Sequence, residues 1–480
     1  MAPSTLLENG TVISFDDASQ ALKILRNTSV LVTGNKIAAI FDSSFSGSVE
    51  IPQDTERVSA ANKIISPGFV DTHRHGWQTA FRTLAGNTTL AEYFFRYGQY
   101  TQAKTVFTPE DIYYGQLAGI YEALNAGVTS ILDHAHGTFS PEASAASLNA
   151  SIDSGVRMWW CYGFGIFNDE SIADFIEQSK NEKLAGSLVE YGMGYDGWGP
   201  ASSEEVKRVV KLAHDTNISA FTTHSLGGPW HFDNGPSTLA QHDDFLAAPF
   251  PIVISHASFL TPADAALLRA HNQFVAITPE SEMHYGHDHP ATPFIQDRAA
   301  LGVDTHFTFS TDLVTQARLW LQATRRSAYR RTLESWSIPS TNPMSVEQAF
   351  LLATRNGGLA LRREDVGVVR VGAQADLVLF DGTSPNMLGW VDPVAAIILH
   401  SNVGDVKDVM VGGEWRKRDG ALVTKQDRAE VEEKFLASAR RIQKIWEDTP
   451  LPVLEGEWRA GIRYSQTDRH SAVREGGKEH

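Results

Sequence analysis

The chain has 480 residues, of which 42% are hydrophobic, so it has enough apolar material for a large core. Its 57 acidic and 41 basic residues give a formal net charge of −16, which opposes binding to nucleic acid or to anionic lipid. Cys161 is the only cysteine, which excludes an intramolecular disulfide and a metal centre built from several thiolates. Any metal would therefore be held by His, Asp or Glu.

The sequence also bears on the location of the protein. No apolar run approaches the roughly 20 residues needed to span a bilayer. The first ten residues have neither the basic region nor the apolar region of a secretory signal. We therefore expect a cytoplasmic protein that acts on a small molecule, with no nucleic-acid or membrane partner.

Residues 1–65 contain short alternating stretches bounded by Gly, Asn and Asp, such as "NTSVLVTGNKIAAIFD", which predict β-strands and turns. Across residues 66–365, short apolar runs alternate with helical segments instead. Eight candidate strands lie between residues 68 and 312, beginning with "GFVDTH" and ending with "DTHFTFSTD". Because eight parallel strands close a (β/α)₈ barrel, we expect a barrel here rather than an open sheet.

Residues 366–424 return to a period of two in "GAQADLVLFD" and "VKDVMVGGEWRK", which predicts a second β-rich piece able to pair with the first. Residues 425–480 begin with a predicted surface or interface helix and end in a polar tail. The apolar positions of this helix recur at helical spacing, at Val431, Phe435, Ala439 and Ile442. The last dozen residues, "RHSAVREGGKEH", are expected to be disordered.

Three His-x-His pairs occur, at His73/His75, His134/His136 and His287/His289. The spacing alone is a weak signal, because 17 histidines would give about one such pair by chance. The first pair lies at the end of a predicted strand, where residues two apart face the same side. In a barrel, that end of the strands carries the chemistry. The alternative is a pair of solvent-exposed loop histidines.

Recurrence of metal-capable residues favours the first pair as a metal site. His224 ends the predicted strand "ISAFTTH", His256 ends "PIVISH" and Asp312 ends "THFTFSTD", each at the same position of the repeating unit. Three or four imidazole nitrogens with one carboxylate suit Zn²⁺ or a similar ion in an open site.

The motifs "SPGFVDTHRH", "STD" and "VGAQADLVLFD", together with the strand-end His224 and His256, resemble the amidohydrolase superfamily. They follow the family's order over roughly residues 5–420. Within the superfamily, the chain is most similar to the branch of cytosine deaminase, S-adenosylhomocysteine deaminase and the s-triazine hydrolases. The resemblance implies a (β/α)₈ barrel with a small β-sandwich built from both chain ends, and relatives that are often homodimers.

The resemblance also implies roles for residues. His73, His75, His224 and Asp312 would be the metal ligands, and Asp312 would also accept a proton from metal-bound water. His256 would polarise the substrate or orient the water. Binuclear relatives bridge their metals with a lysine from the fourth strand, but "YGMGYDGWG" has no lysine. We therefore expect one divalent ion, first Zn²⁺, with Fe²⁺ and Mn²⁺ as alternatives.

One position departs from that pattern. Deaminases and triazine hydrolases of this branch usually carry a glutamate three residues after the histidine of the fifth strand, where this chain has Gly227. A proton shuttle must come from elsewhere, or the reaction must not need one. The stretch "TPESEMHYGHDHP" offers Glu280, Glu282 and His284, which would share one side if it were extended. We expect Glu280 or Glu282 to replace the missing carboxylate; the alternative is that both are solvated loop residues.

Further candidates, together with His284, could contact the substrate. Trp77, Gln78, Phe81 and Trp230 follow the metal-bearing strands and could line an aromatic pocket, or merely pack the barrel rim. His136 closes the second strand and could contact the substrate or only pack. The His287/His289 loop is expected to be exposed.

These features favour a mononuclear metal-dependent hydrolase that acts on a C–N bond of a small cyclic or heteroaromatic molecule. Deamination and amide or amidine hydrolysis both stay open. The first alternative is a metal-dependent decarboxylase of an aromatic acid on the same barrel. The second is a non-catalytic scaffold, which the presence of all the predicted ligands disfavours. Specificity depends on loop geometry, so the sequence does not identify the substrate.

Overall fold

Both ends of the chain contribute to one sheet. The structure is a computed structural model, and it describes residues 3–242, 245–288, 294–459, 461–470 and 472. Hydrogen bonds join nine strands in the order β17-β16-β15-β14-β5-β1-β2-β3, with β4 paired to β1. The strands are β1 Ser4–Asp16, β2 Ala21–Thr33, β3 Lys36–Asp42, β4 Glu56–Ser59, β5 Lys63–Pro67, β14 Leu377–Asp381, β15 Val406–Val411, β16 Glu414–Arg418 and β17 Ala421–Leu422.

The two β-rich pieces meet where β14 runs antiparallel to β5, with Leu377 opposite Pro67 and Asp381 opposite Lys63. Alternate side chains of these strands, including Leu7, Val12 and Leu377, are fully buried in a core of their own. The predicted pairing of the N-terminal and C-terminal pieces is therefore observed.

The second sheet is the barrel, which confirms the predicted fold class. Eight parallel strands follow one another in chain order. They are β6 Phe69–Arg74, β7 Val128–Ala135, β8 Arg157–Gly163, β9 Val189–Gly194, β10 Phe221–Ser225, β11 Ile252–His256, β12 Phe274–Ile277 and β13 Ala299–Leu301. The ring closes just beyond β13, where Val303 N and Asp304 N donate to His73 O over 3.0 and 2.8 Å.

Helices lie between the barrel strands, and further helices follow the last barrel strand. Their bounds are α1 Leu90–Arg96, α2 Ala103–Val106, α3 Pro109–Asn125, α4 Pro141–Ser154, α5 Asp169–Gln178, α6 Ser203–Asp215, α7 Pro236–Leu239, α8 Pro262–His271, α9 Pro279–Tyr285, α10 Leu313–Glu334, α11 Val346–Ala353, α12 Arg355–Ala360, α13 Pro393–Ala395 and α14 Arg428–Glu447. Several begin at a Ser or Thr cap followed by Pro, as at Thr108 and Thr261.

The predicted eighth strand was wrong. The segment "THFTFST" alternates polar and apolar residues but folds as turns, and the strand is the three-residue Ala299–Leu301. Asp304 therefore follows the strand, whereas Asp312 caps helix α10 by accepting from Val314 N over 3.0 Å and Thr315 Oγ1 over 2.8 Å. A strand so short and rich in Ala gives no periodic signal.

The predicted helix near the C-terminus is α14, and its apolar side packs on the barrel. Val431, Ala439, Ile442 and Trp446 are buried there. Among the described helices, none has the length and apolarity needed to cross a membrane. Of the predicted disordered stretch, residues 471 and 473–480 lie outside the described residues.

Candidate active site

Three histidines and one aspartate converge at the carboxyl ends of the barrel strands. His75 Nε2 lies 3.2 Å from His224 Nε2 and 3.1 Å from Asp304 Oδ1. His73 Nε2 lies 3.3 Å from the same carboxylate oxygen. Ligands about 2.0–2.1 Å from a tetrahedral Zn²⁺ would be separated by about 3.3 Å. These three separations match the spacing of ligands around a metal ion.

The second nitrogen of each histidine is held by a partner behind it. His75 Nδ1 donates to His134 O over 2.9 Å, and Ser255 Oγ lies 2.7 Å from His73 Nδ1. His224 Nδ1 lies 2.9 Å from Asp196 Oδ2. Such contacts fix the ring orientation and leave Nε2 toward the centre, as in metal-binding histidines generally.

The protonation states also suit a metal. Burial lowers the pKa of His73 well below its ordinary value, against the raising effect of Asp304. Burial alone would raise the pKa of Asp304, but contacts with His73 and His75 hold it well below its ordinary value. A neutral imidazole and an ionised carboxylate are the forms that bind metal. Moreover, His73 Nε2 is buried, and its 3.3 Å contact with Asp304 Oδ1 does not have the geometry of a hydrogen bond.

His256 lies beside this cluster. Nitrogen and oxygen atoms of His73, His224, His256 and Asp304 all fall within 4.8 Å of one another. His256 has a left-handed backbone, with φ of 64°, and such strain in a non-glycine residue is concentrated at functional sites. Its Nδ1 lies 3.0 Å from Thr278 Oγ1 and 3.3 Å from Glu282 Oε1.

The segment that follows β12 is not extended, contrary to the prediction. It is helix α9, with Pro279 in its first turn, so Glu280, Glu282 and His284 do not share one side. Glu282 is buried and contacts His256. Glu280 Oε2 instead accepts from Gln316 Nε2 over 2.9 Å, and His284 Nε2 lies 3.1 Å from Ala85 O.

A cavity of about 430 Å³ opens over the cluster. Its inner end is formed by His75, His136, His224, His256, His287 and Asp304. Its outer wall is largely aromatic and includes Tyr93, Phe94, Tyr100, Phe232, Trp458 and Tyr464. This volume suits a small organic ligand, and the wall suits a planar one.

The predicted substrate contacts divide into two groups. His136 lines the cavity, where Trp77 Nε1 donates to its Nδ1 over 2.9 Å. The other candidates do not line the cavity in the described part of the chain: Trp77, Gln78, Phe81, Trp230 and His284. Gln78 is buried behind it and donates to Tyr93 Oη over 3.0 Å. Gln78 therefore supports a lining residue.

Several residues of the site were missed from the sequence. Asp304 follows strand β13, which the sequence did not reveal. Asp196 follows β9 in "GYDG", where the rule that metal-capable residues lie at strand ends, here called the strand-end rule, would have found it. His287 was expected to be exposed, yet it is buried and its ring centre lies 4.9 Å from that of His256. His289 lies outside the described residues.

Gly227 occupies the position at which the resemblance predicts a glutamate. Its backbone conformation explains why no side chain is present. Its φ of 59° with ψ of −165° is a conformation that favours glycine. A Cβ atom there would lie 3.0 Å from Ser258 O. A side chain at this position would therefore strain the backbone and crowd Ser258 O.

Comparisons with known proteins agree with this geometry. The amidohydrolase family profile matches residues 64–416. The 5-methylthioadenosine/S-adenosylhomocysteine deaminase of Caldicellulosiruptor saccharolyticus is 23% identical over 457 residues, which cover 92% of this chain and 99% of the relative.

Two of the solved structures that share the fold hold zinc. An adenosine deaminase from Xanthomonas campestris with bound zinc has a TM-score of 0.76 at 20% identity, covering 93% of this chain and 99% of its own. The atrazine chlorohydrolase of Arthrobacter aurescens complexed with zinc has a TM-score of 0.72 at 18% identity, covering 91% and 100%.

Proposed function

The chain belongs to the amidohydrolase family, and on that premise we propose that it is a mononuclear zinc-dependent hydrolase that removes an amino group from a heteroaromatic ring. The predicted class, a metal-dependent hydrolase of C–N bonds, is confirmed by the family and by relatives named deaminases. The decarboxylase alternative is not favoured. A homodimer and a cytoplasmic location stay predictions.

One observation carries the proposal. Nε2 of His73, His75 and His224 and Oδ1 of Asp304 meet at the inner end of an aromatic cavity. These four residues would hold the ion, and Fe²⁺ or Mn²⁺ would also suit them. When bound there, a divalent metal would lower the pKa of water towards about 7 and so supply a nucleophile at neutral pH.

The side chains around the metal site would then transfer protons and orient the substrate. Hydrolysis adds the elements of water across the C–N bond and releases ammonia, so a proton must reach the leaving nitrogen. Asp304 is placed to accept a proton and pass it on, since Ser281 Oγ donates to its Oδ2 and fixes the carboxylate. His256, held by Glu282 and Thr278, is placed to orient or polarise the substrate.

A second candidate reaction is cleavage of a ring amide or amidine. Gly227 favours it, because this position offers no carboxylate that could protonate a ring nitrogen. His287, which lines the cavity beside His256, is the proposed proton donor if the reaction is a deamination.

The test is a substrate panel on zinc-loaded protein, scored separately for ammonia and for ring-opened product. We would include 5′-methylthioadenosine, adenosine, adenine, cytosine, a triazine and a cyclic amide. Ammonia from an amino-substituted ring, lost with a chelator and restored with Zn²⁺, is the expected result. Ring-opened product alone would favour the second candidate, and no product from any compound would contradict both.

A further inference from the structure

A segment near the C-terminus forms part of the cavity wall. Residues 449–459 and 461–464, which we call the C-terminal segment, follow the end of helix α14 and contain a short hairpin, β18 Glu457–Arg459 paired with β19 Ile462–Arg463. Glu457, Trp458, Arg459 and Tyr464 line the same cavity as His75, His224 and Asp304. These four residues lie outside the barrel strands, in the part of the chain that follows helix α14.

Arg96 anchors this segment to the cavity wall. It is the last residue of α1, a helix whose residues Leu90, Tyr93 and Phe94 line the cavity. The guanidinium is buried and donates to three backbone carbonyls, at Trp446 over 2.8 Å, Thr449 over 2.9 Å and Pro450 over 3.0 Å. Trp446 Nε1 donates back to Arg96 O over 2.7 Å. The start of the segment is therefore fixed.

Trp458 holds the hairpin over the cavity. Its ring centre lies 5.6 Å from that of Phe94 with the planes 28° apart, and 5.9 Å from that of Trp230 at 81°. Its Nε1 donates to Trp230 O over 3.3 Å. An isolated two-stranded hairpin is marginally stable in water, so these contacts position this one. The indole is only half-buried, so part of its surface is available to a ligand.

We propose that Trp458 is a specificity-determining residue, whose indole forms the outer wall of the substrate pocket and packs against the part of the substrate remote from the reacting ring. The inference rests on the proposed function and narrows its substrate class. The cavity volume of about 430 Å³ falls within the range of pockets that bind drug-sized ligands. A free base would therefore leave the outer end of the cavity empty. The pocket therefore fits a heteroaromatic ring that carries an apolar or ring substituent, as in a 5′-modified nucleoside.

The test compares Trp458→Ala and Trp458→Phe with wild type, using 5′-methylthioadenosine as the large probe and adenine as the small one. We expect Trp458→Ala to raise KM for 5′-methylthioadenosine about tenfold, with kcat within about threefold and KM for adenine unchanged. Trp458→Phe should retain most of the affinity, because it retains a ring. Trp336→Ala is the matched control, since Trp336 is 96% exposed. Equal effects on both probes, or no effect, would overturn the inference.

A second measurement separates this inference from the proposed function. If the zinc-loaded wild type turns over neither probe, the rate at which 1,10-phenanthroline removes the zinc still reports whether Trp458 closes the cavity. Removal should be severalfold faster from Trp458→Ala than from wild type or Trp336→Ala. Equal rates in the three proteins would overturn the inference.

Discussion

Asp304 Oδ1 lies 3.1 Å from His75 Nε2, although the two residues are 229 positions apart in the chain. The contact exists because Asp304 follows the last barrel strand and His75 follows the first, and the two strands close the ring. Closure of the barrel therefore brings His75 and Asp304 together in the site.

This relationship predicts which aspartate supports activity. Asp304→Asn should lower kcat/KM by about 10²- to 10⁴-fold, because it removes the group placed to carry the proton. Asp312→Asn should stay within a few-fold of wild type, since asparagine is also a good helix cap. Steady-state kinetics of both zinc-loaded variants measure the difference. A large loss in Asp312→Asn with little loss in Asp304→Asn would sink the assignment.

Asp196 should tune metal affinity without binding the metal. It accepts from His224 N over 2.7 Å and holds His224 Nδ1, so Asp196→Asn should weaken zinc binding about 10- to 100-fold. Competition with a chromophoric chelator would measure this. Asp419→Asn is the control, because Asp419 lies on the surface with a left-handed φ of 49° that asparagine also adopts. Unchanged affinity in Asp196→Asn would count against the proposed coordination.

Glu282 and Glu280 should differ in their effect on catalysis. Glu282→Gln should lower kcat about 10- to 100-fold with little change in KM or zinc content, because Glu282 acts through the orientation of His256. Glu280→Gln should change kcat by less than about threefold, because Glu280 pairs with Gln316 outside the described cavity lining. Equal losses in the two variants would remove the positioning role of Glu282.

A buried ion pair should stabilise the junction of barrel and sheet. Arg157 Nε on strand β8 lies 2.7 Å from Asp376 Oδ2, and Asp376 Oδ1 also accepts from Gly412 N over 2.6 Å. Both side chains are buried, so Asp376→Asn should lower the free energy of unfolding by about 3–5 kcal/mol. Asp169→Asn, which breaks an exposed pair with Arg208, should cost less than about 1 kcal/mol. Denaturant unfolding measures both, and similar losses would contradict this role.

The histidines of the site could be predicted from sequence because each ends a strand of clear apolar character. His73, His75 and His224 all lie where the strand-end rule placed them. Asp304 could not be found in that way, because three residues of β13 leave no pattern to read. The Pro at the start of α9 was a readable helix signal, so the extended interpretation of Glu280 and Glu282 was avoidable.

Local sequence patterns could not predict the outer wall of the cavity. Arg96 and Thr449 are 353 positions apart, and their hydrogen bond depends on how α14 docks on the barrel. Likewise, Trp458 follows the proline-containing stretch "TPLPVLEGE", which has no periodicity, and only its contacts with Phe94 and Trp230 reveal its position. Such long-range contacts decide substrate specificity, so the sequence predicted the chemistry better than the substrate.

The central claim is one metal ion held by His73, His75, His224 and Asp304. Anomalous diffraction from crystals of the zinc-loaded protein at the zinc absorption edge tests it most directly. We predict one peak per chain in this site, about 2.0–2.2 Å from Nε2 of the three histidines and from Oδ1 of Asp304. A site without a peak, two peaks within it, or a peak beside Asp312 would contradict the claim.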